Sequence, residues 1–209
     1  MHTIAILSQK GGAGKTTLTV NLAVAADAAG KATAIIDLDP QASACTWADN
    51  RDAATPSVDS IQPARLGKAL DALREAGADY VFIDTPPSTE QATMHAAEHA
   101  DLILIPCRPG FLDLVAINQT LVHVKSKGKK AILVFNAVPP STSIAGEASE
   151  AAKTYDIDIA PVTINQRVIF MHAMRDGLGV VEAEPKGKAA QEINKLFKLM
   201  QKEVKDGRS

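Results

Sequence analysis

Aromatic residues are scarce in this chain. Five Phe, two Tyr and one Trp make up 4% of 209 residues. Hydrophobic residues nonetheless reach 46%, so the core must be aliphatic, as buried parallel strands tend to be. Cysteine is nearly absent: Cys45 and Cys107 stand far apart and match no zinc-ligand spacing. Two reduced, buried thiols are the expectation. No apolar run approaches membrane-spanning length, and Met1-His2 leads straight into an apolar segment without a secretory signal. A cytoplasmic protein is expected. Net charge is only −2, from 22 Lys and Arg against 24 Asp and Glu. That balance announces no nucleic-acid binder, so any affinity for DNA must come from a local patch. There is no internal repeat, low-complexity tract or dividing linker, and a single domain over residues 1–209 is expected.

Short apolar runs alternate with helical patterns. The strand-like runs are Thr3–Leu7, Ala32–Asp37, Tyr80–Asp84, Leu102–Pro106, Ala131–Asn136 and Ile157–Thr163, with Ser57–Ile61 as a possible edge. Helical patterns cover Lys15–Ala29, Pro63–Ala76, Thr89–His99, Leu112–Lys125 and Ala145–Tyr155. The alternation predicts an α/β fold, a mainly parallel twisted sheet with helices on both faces. Ligands of such sheets bind at the carboxyl ends of strands. Gly11–Thr17, Asp37–Gln41, Asp84–Pro87 and Arg108–Leu112 all follow strand ends and should converge.

The octapeptide Lys10-Gly11-Gly12-Ala13-Gly14-Lys15-Thr16-Thr17 lies between the first strand and the first helix. Small residues let successive backbone N–H groups curl around phosphate oxygens, and the helix start aims its positive dipole end at the same anion. Lys15 supplies a full charge to the phosphates, and the Thr16 hydroxyl can ligate Mg²⁺. The ordinary P-loop pattern wants glycine five residues before Gly14, where Gln9 stands. A second lysine, Lys10, guards the loop entrance instead. An Asp that ends an apolar strand can simply start a turn. Beside a phosphate loop, Asp37 and Asp84 become candidates for holding Mg²⁺ and its waters.

Lys-Gly-Gly-x-Gly-Lys-Thr-Thr resembles the deviant Walker A motif of the ParA/MinD ATPases. Ile36-Asp37-Leu38-Asp39-Pro40-Gln41 resembles the family's second acidic motif, and Val81-Phe82-Ile83-Asp84-Thr85-Pro86-Pro87 its Walker B strand and switch. Asn165-Gln166-Arg167-Val168 and Asp176-Gly177-Leu178-Gly179-Val180 are similar to the C-terminal part of small, ParF-like plasmid-partition proteins. The resemblance implies a P-loop ATPase fold that binds ATP and Mg²⁺. Gly11, Gly12, Ala13, Gly14, Lys15, Thr16 and Thr17 would cradle the nucleotide. Thr16, Asp84 and Asp37 would serve the metal, directly or through water, and Asp39 would activate the attacking water. Lys10 would reach the phosphates of the nucleotide in a partner subunit, making ATP the glue of a homodimer. Thr85-Pro86-Pro87 would sense the γ-phosphate. Asn136 would give its amide to adenine, although an Asn before Pro139-Pro140 also suits a turn.

From Lys186 onward seven Lys and Arg face three Asp and Glu. Lys195, Lys198, Lys202 and Lys205 recur at helical steps, opposite Ile193, Leu196, Phe197, Met200 and Val204. An ordinary packed terminal helix explains the apolar stripe and leaves its lysine face open to phosphates. Arg167 and Lys188 fall where related partition ATPases carry basic residues implicated in nonspecific DNA binding. Lys125, Lys127, Lys129 and Lys130 fit a helix C-terminus and its turn. His95, His99, His123 and His172 form no ligand pattern. Trp47 suits either the core or a dimer contact.

The expectation is a ParA-like partition ATPase associated with the nucleoid: ATP-dependent dimerisation, nonspecific DNA binding, and slow Mg²⁺-dependent hydrolysis accelerated by a ParB/ParG-like centromere-binding or cargo adaptor protein. Beginning at the P-loop strand, the chain is expected to lack the helix-turn-helix extension of larger relatives. The alternatives are a related ATPase positioning a protein cluster or microcompartment, a MinD-like membrane-associated ATPase, and a synthetase on the same fold such as dethiobiotin synthetase. The terminal helix reads as one that packs on the core, so a membrane surface is not expected. Lys10 and Asp37-Leu38-Asp39-Pro40 argue against the synthetase.

Overall fold

A computed structural model describes residues 1–87 and 89–206. Seven strands, β1 (His2–Ile6), β2 (Thr33–Asp37), β3 (Ser57–Ser60), β4 (Tyr80–Asp84), β5 (Leu102–Cys107), β6 (Ala131–Phe135) and β7 (Asp158–Ile159), form one sheet in the order β3-β2-β4-β1-β5-β6-β7. Every strand pairing among the described residues is parallel. Alternate residues of each strand enter opposite cores. Ile4, Ile6, Tyr80, Phe82, Leu102 and Leu104 face one layer, while Ala5, Val81, Ile83, Ile103 and Ile105 face the other. Burial on both sides explains why the strands read as continuous apolar runs.

The first layer contains α1 (Lys15–Ala28), α2 (Ser43–Asp49), α7 (Val168–Arg175), α8 (Val180–Ala183) and α9 (Lys188–Asp206). The second contains α3 (Leu66–Glu75), α4 (Glu90–His99), α5 (Phe111–Ser126) and α6 (Ile144–Ala152). The expected elements form within a residue or two at most ends. The last strand is shorter than the expected Ile157–Thr163, because Pro161 has no N–H to extend a ladder.

Three helices escape the periodicity of the sequence: α2, α7 and α8. Two of them are capped from afar. Asp37 Oδ2 accepts the Ala44 N–H at 2.9 Å in the first turn of α2, and Asn21 Oδ1 accepts the Val180 N–H at 2.8 Å at the start of α8. Gly179 lets α8 sit on α1, since a Cβ there would press into the Val24 side chain at 2.8 Å. Trp47 belongs to the core. It is buried, donates its indole N–H to the Leu178 carbonyl at 3.2 Å and lies under the Arg51 guanidinium.

Helix α9 is amphipathic as expected: Ile193, Leu196, Phe197, Met200 and Val204 are buried, while Lys195, Lys198, Lys202 and Lys205 are exposed. Leu196→Ala should cost about 3 kcal/mol of stability, the lost transfer energy plus a cavity. Lys198→Ala on the opposite face should change it by less than about 0.5 kcal/mol. Urea unfolding of both variants checks the contrast.

Candidate nucleotide-binding site

The loop after β1 lies at the middle of the sheet, because β1 is flanked by β4 and β5. Gly12 and Gly14 take positive φ, 72° and 89°, and Gly14 starts α1 with no side chain capping the helix. The first-turn N–H groups of α1 are thus presented to a bound anion. A Cβ at Gly14 would run into the amide nitrogen of Asn136. That amide donates to the Ala13 carbonyl at 2.7 Å, tying the loop to the end of β6.

Two adjoining cavities flank the loop. A space of about 260 Å³ is lined by Gly11, Gly12, Gly14, Lys15, Thr16, Thr17, Asp39 and Pro87. A larger one of about 610 Å³ runs from Gly12, Gly14, Thr17 and Asn136 to Pro139, Val168, Phe170 and Met171. The first carries the loop, the Lys15 ammonium and the Asp39 carboxylate; the second carries an apolar end suited to a nucleobase.

The acidic residues divide their work. Asp84 is fully buried at the end of β4 and accepts the Thr16 hydroxyl at 2.6 Å and, more weakly, the Thr19 hydroxyl at 3.4 Å. Burial pushes its carboxyl up to about 7, with the Thr16 hydrogen bond opposing and Asp37 adding to the rise. Asp37, also buried, accepts the N–H groups of Asp39 at 2.9 Å and Ala44 at 2.9 Å. Both its oxygens accept from the backbone that turns into α2. Burial raises its carboxyl as well. Lys15 is buried, and desolvation lowers its ammonium against the pull of Asp84 and Asp39. Lys10 stands outside the cradle, paired with Asp113 at 2.8 Å.

No group of three or more His, Cys, Asp or Glu among the described residues is arranged to hold a metal. Thr16 and Asp84 nevertheless fit Mg²⁺, which usually keeps several waters and takes only one or two protein ligands beside substrate phosphates.

The sequence matches the family described as the CobQ/CobB/MinD/ParA nucleotide binding domain over residues 4–181. The chain belongs to that family. It is 30% identical over 208 residues to the Maintenance of carboxysome distribution protein A of Halothiobacillus neapolitanus, covering 93% of this chain and 94% of the relative. It is 33% identical over 206 residues to the protein of the same name from Gloeobacter kilaueensis, covering 96% and 93%. The septum site-determining protein MinD of Pyrococcus horikoshii, solved with Mg-ADP, superposes with a TM-score of 0.77 at 21% identity over 95% of each chain. That likeness shows the fold, which is the P-loop ATPase fold of ParA and MinD. The two relatives are named for carboxysome distribution, and no particular closeness to ParF-like plasmid-partition proteins emerges.

In this family member the expected residues fall into three groups. Gly11, Gly12, Ala13, Gly14, Lys15, Thr16, Thr17, Asp39 and Asp84 meet at the loop. Asn136 is there too, but its amide braces Ala13 at the loop, so a contact with adenine through that N–H is not what this geometry presents. Arg167 and Lys188 separate. Lys188 is exposed at the start of α9. Arg167 lines the larger cavity and pairs with Glu192 at 2.7 Å, with its side chain only 24% exposed. It is therefore no free surface cation. Arg208, counted in the basic tail, lies outside the described residues. Asp113 and Asn21 were not legible as site residues, since their partners are far along the chain and no local pattern marks them.

The raised carboxyl of Asp84 has a consequence for stability without nucleotide or metal. The folded protein holds this proton more tightly than the unfolded chain does. The contribution is complete below about pH 4, falls as pH rises toward about 7 and is flat above that. Asp84→Asn should therefore melt higher than wild type at pH 8, by up to about 4 kcal/mol in stability, with the gap narrowing by more than half at pH 5. Calorimetric melts across pH 5–8 check this; parallel curves would show that Asp84 carries no such penalty.

Proposed function

We propose that this chain is an ATPase that dimerises on ATP, binds DNA without regard to sequence and positions a protein assembly, such as a microcompartment, as its cargo. The observation that carries this reading is the separation of two lysines in one loop. Lys15 is buried against the cradle, whereas Lys10 stands at the entrance with its side chain 39% exposed. A cation that faces away from its own pocket is placed to serve the nucleotide of a second copy. There it neutralises charge developing on the transferred phosphoryl group. To do so Lys10 leaves Asp113, a partly exposed ion pair that costs little to open.

The surface around the pocket supports a dimer face. Phe111 and Leu112 are 78% and 71% exposed in the first turn of α5, next to Asp113, and Val168 and Met171 are exposed on α7 across the cavity. Bare apolar side chains on both sides of a nucleotide site are the kind that a second subunit covers. Asp39 lines the loop cavity and is the residue to activate the attacking water, following the family pattern. Thr16 and Asp84 would hold Mg²⁺ with its waters, and the ion would neutralise the β- and γ-phosphate charge.

Helix α9 supports a DNA track. Lys188, Lys195, Lys198, Lys202 and Lys205 are exposed, and none forms an ion pair among the described residues. They share one side of the helix over about 25 Å, spacing that suits phosphates of a duplex. This stripe replaces Arg167 as the basic surface. No helix among the described residues is long and apolar enough to cross a membrane, and the apolar side of α9 is buried. The names of the two similar relatives favour a protein cargo over a plasmid. A cargo-bound adaptor would then take the role expected of a centromere-binding protein and stimulate turnover.

Light scattering with ADP, ATP and a nonhydrolysable ATP analogue tests the reading. Wild type should be monomeric with ADP and dimeric with the analogue, and only the dimer should co-sediment with DNA of arbitrary sequence. Lys10→Ala should bind one nucleotide per chain yet stay monomeric at concentrations where wild type is dimeric. A Lys10→Ala dimer of wild-type affinity would remove Lys10 from the interface.

A further inference from the structure

Among the described residues, each cation at the nucleotide site has a carboxylate nearby, with one exception. Lys10 is paired with Asp113, Arg167 with Glu192, and Lys15 faces Asp84 and Asp39. Arg108 is exposed and forms no ion pair among the described residues. It follows β5 directly, and β5 lies beside β1, so its backbone stands next to the phosphate loop. Arg108 lines the larger cavity together with Gly12, Gly14 and Thr17. Among the described residues, that cavity has two arginines in its wall and no Asp or Glu. Its apolar end, formed by Pro139, Val168, Phe170 and Met171, lies toward the other side.

The loop that bears Arg108 is fixed rather than loose. Asp113 reaches back to the loop: its N–H donates to the Gly110 carbonyl at 3.0 Å, and a Cβ at Gly110 would press against its carboxylate at 2.8 Å. The Cys107 thiol donates to the Arg108 carbonyl at 3.1 Å. A bare guanidinium on a fixed backbone, in an acid-free wall beside a phosphate cradle, has an evident chemical complement. We infer that Arg108 binds the phosphate chain of the nucleotide held in its own subunit, as a second cation beside Lys15. Its planar fork suits two phosphate oxygens at once, which a lysine at this place cannot reproduce. The inference rests on the nucleotide-binding reading above. It adds a contact made within one chain, distinct from the cross-subunit role of Lys10.

Titration calorimetry of monomeric protein with ADP tests it, because ADP binding needs no second copy. Arg108→Ala should weaken ADP about tenfold or more, the effect of one charge-assisted contact. Arg108→Lys should recover only part of the loss. The gap between wild type and Arg108→Ala should narrow at 1 M salt, since a partly exposed charge pair is screened. Melting temperature serves as the folding control, and an exposed residue should leave it unchanged. Wild-type ADP affinity in Arg108→Ala would overturn the inference while leaving the proposed function intact. Intact ADP affinity with loss of the ATP-dependent dimer would also overturn it, by placing Arg108 across the subunit boundary. Failure of wild type to bind ADP would remove both readings together.

Discussion

The hydrogen bond from Thr16 to Asp84 joins the two halves of this protein's site. Thr16 lies in the first turn of α1, and Asp84 ends the neighbouring strand β4. A carboxylate buried at that point is unfavourable unless something satisfies it. The protein answers with hydroxyl donors, and burial raises the affinity of Asp84 for a proton. A cation bound with nucleotide would answer more fully. On the proposed reading, that ligand would relieve the cost of burying Asp84, and stability and binding would be linked through one side chain.

The parallel sheet makes this arrangement possible. With β4 and β5 on either side of β1, the carboxyl ends of neighbouring strands deliver a phosphate loop, an acidic residue and a basic loop to one edge. Asp37 belongs to the same row and also braces the backbone beside it. Its oxygens hold the turn that carries Asp39 into the cavity. One carboxylate shapes the backbone so that the next lines the loop cavity.

Much of this was legible in the sequence, and the failures have physical causes. The strands were plain because both of their faces are buried. The loop was plain because only small residues fit where Gly14 meets Asn136. Helix α2 was not, because its first turn is held by Asp37, seven residues upstream, and α8 was not, because it is a single turn fastened by Asn21 of α1 as well as by its own Glu182. Arg167 read as a surface base because its neutralising partner, Glu192, lies on another element. Asp113 was silent for the same reason, its partner Lys10 being on the far side of β5 in the chain. Periodicity and motifs report local chemistry. Pairings between distant segments decide which charges are free, and those appear only in the fold.

The central claim is that the glycine-rich loop, with Lys15 at its heart, is a nucleotide cradle. Titration of Mg-ATP into wild type and Lys15→Ala at matched protein concentration tests it most directly. The account predicts one nucleotide per chain in wild type and loss of measurable binding in Lys15→Ala, with both proteins folded by circular dichroism. Wild-type affinity in the variant, or no binding by the folded wild type, would contradict it.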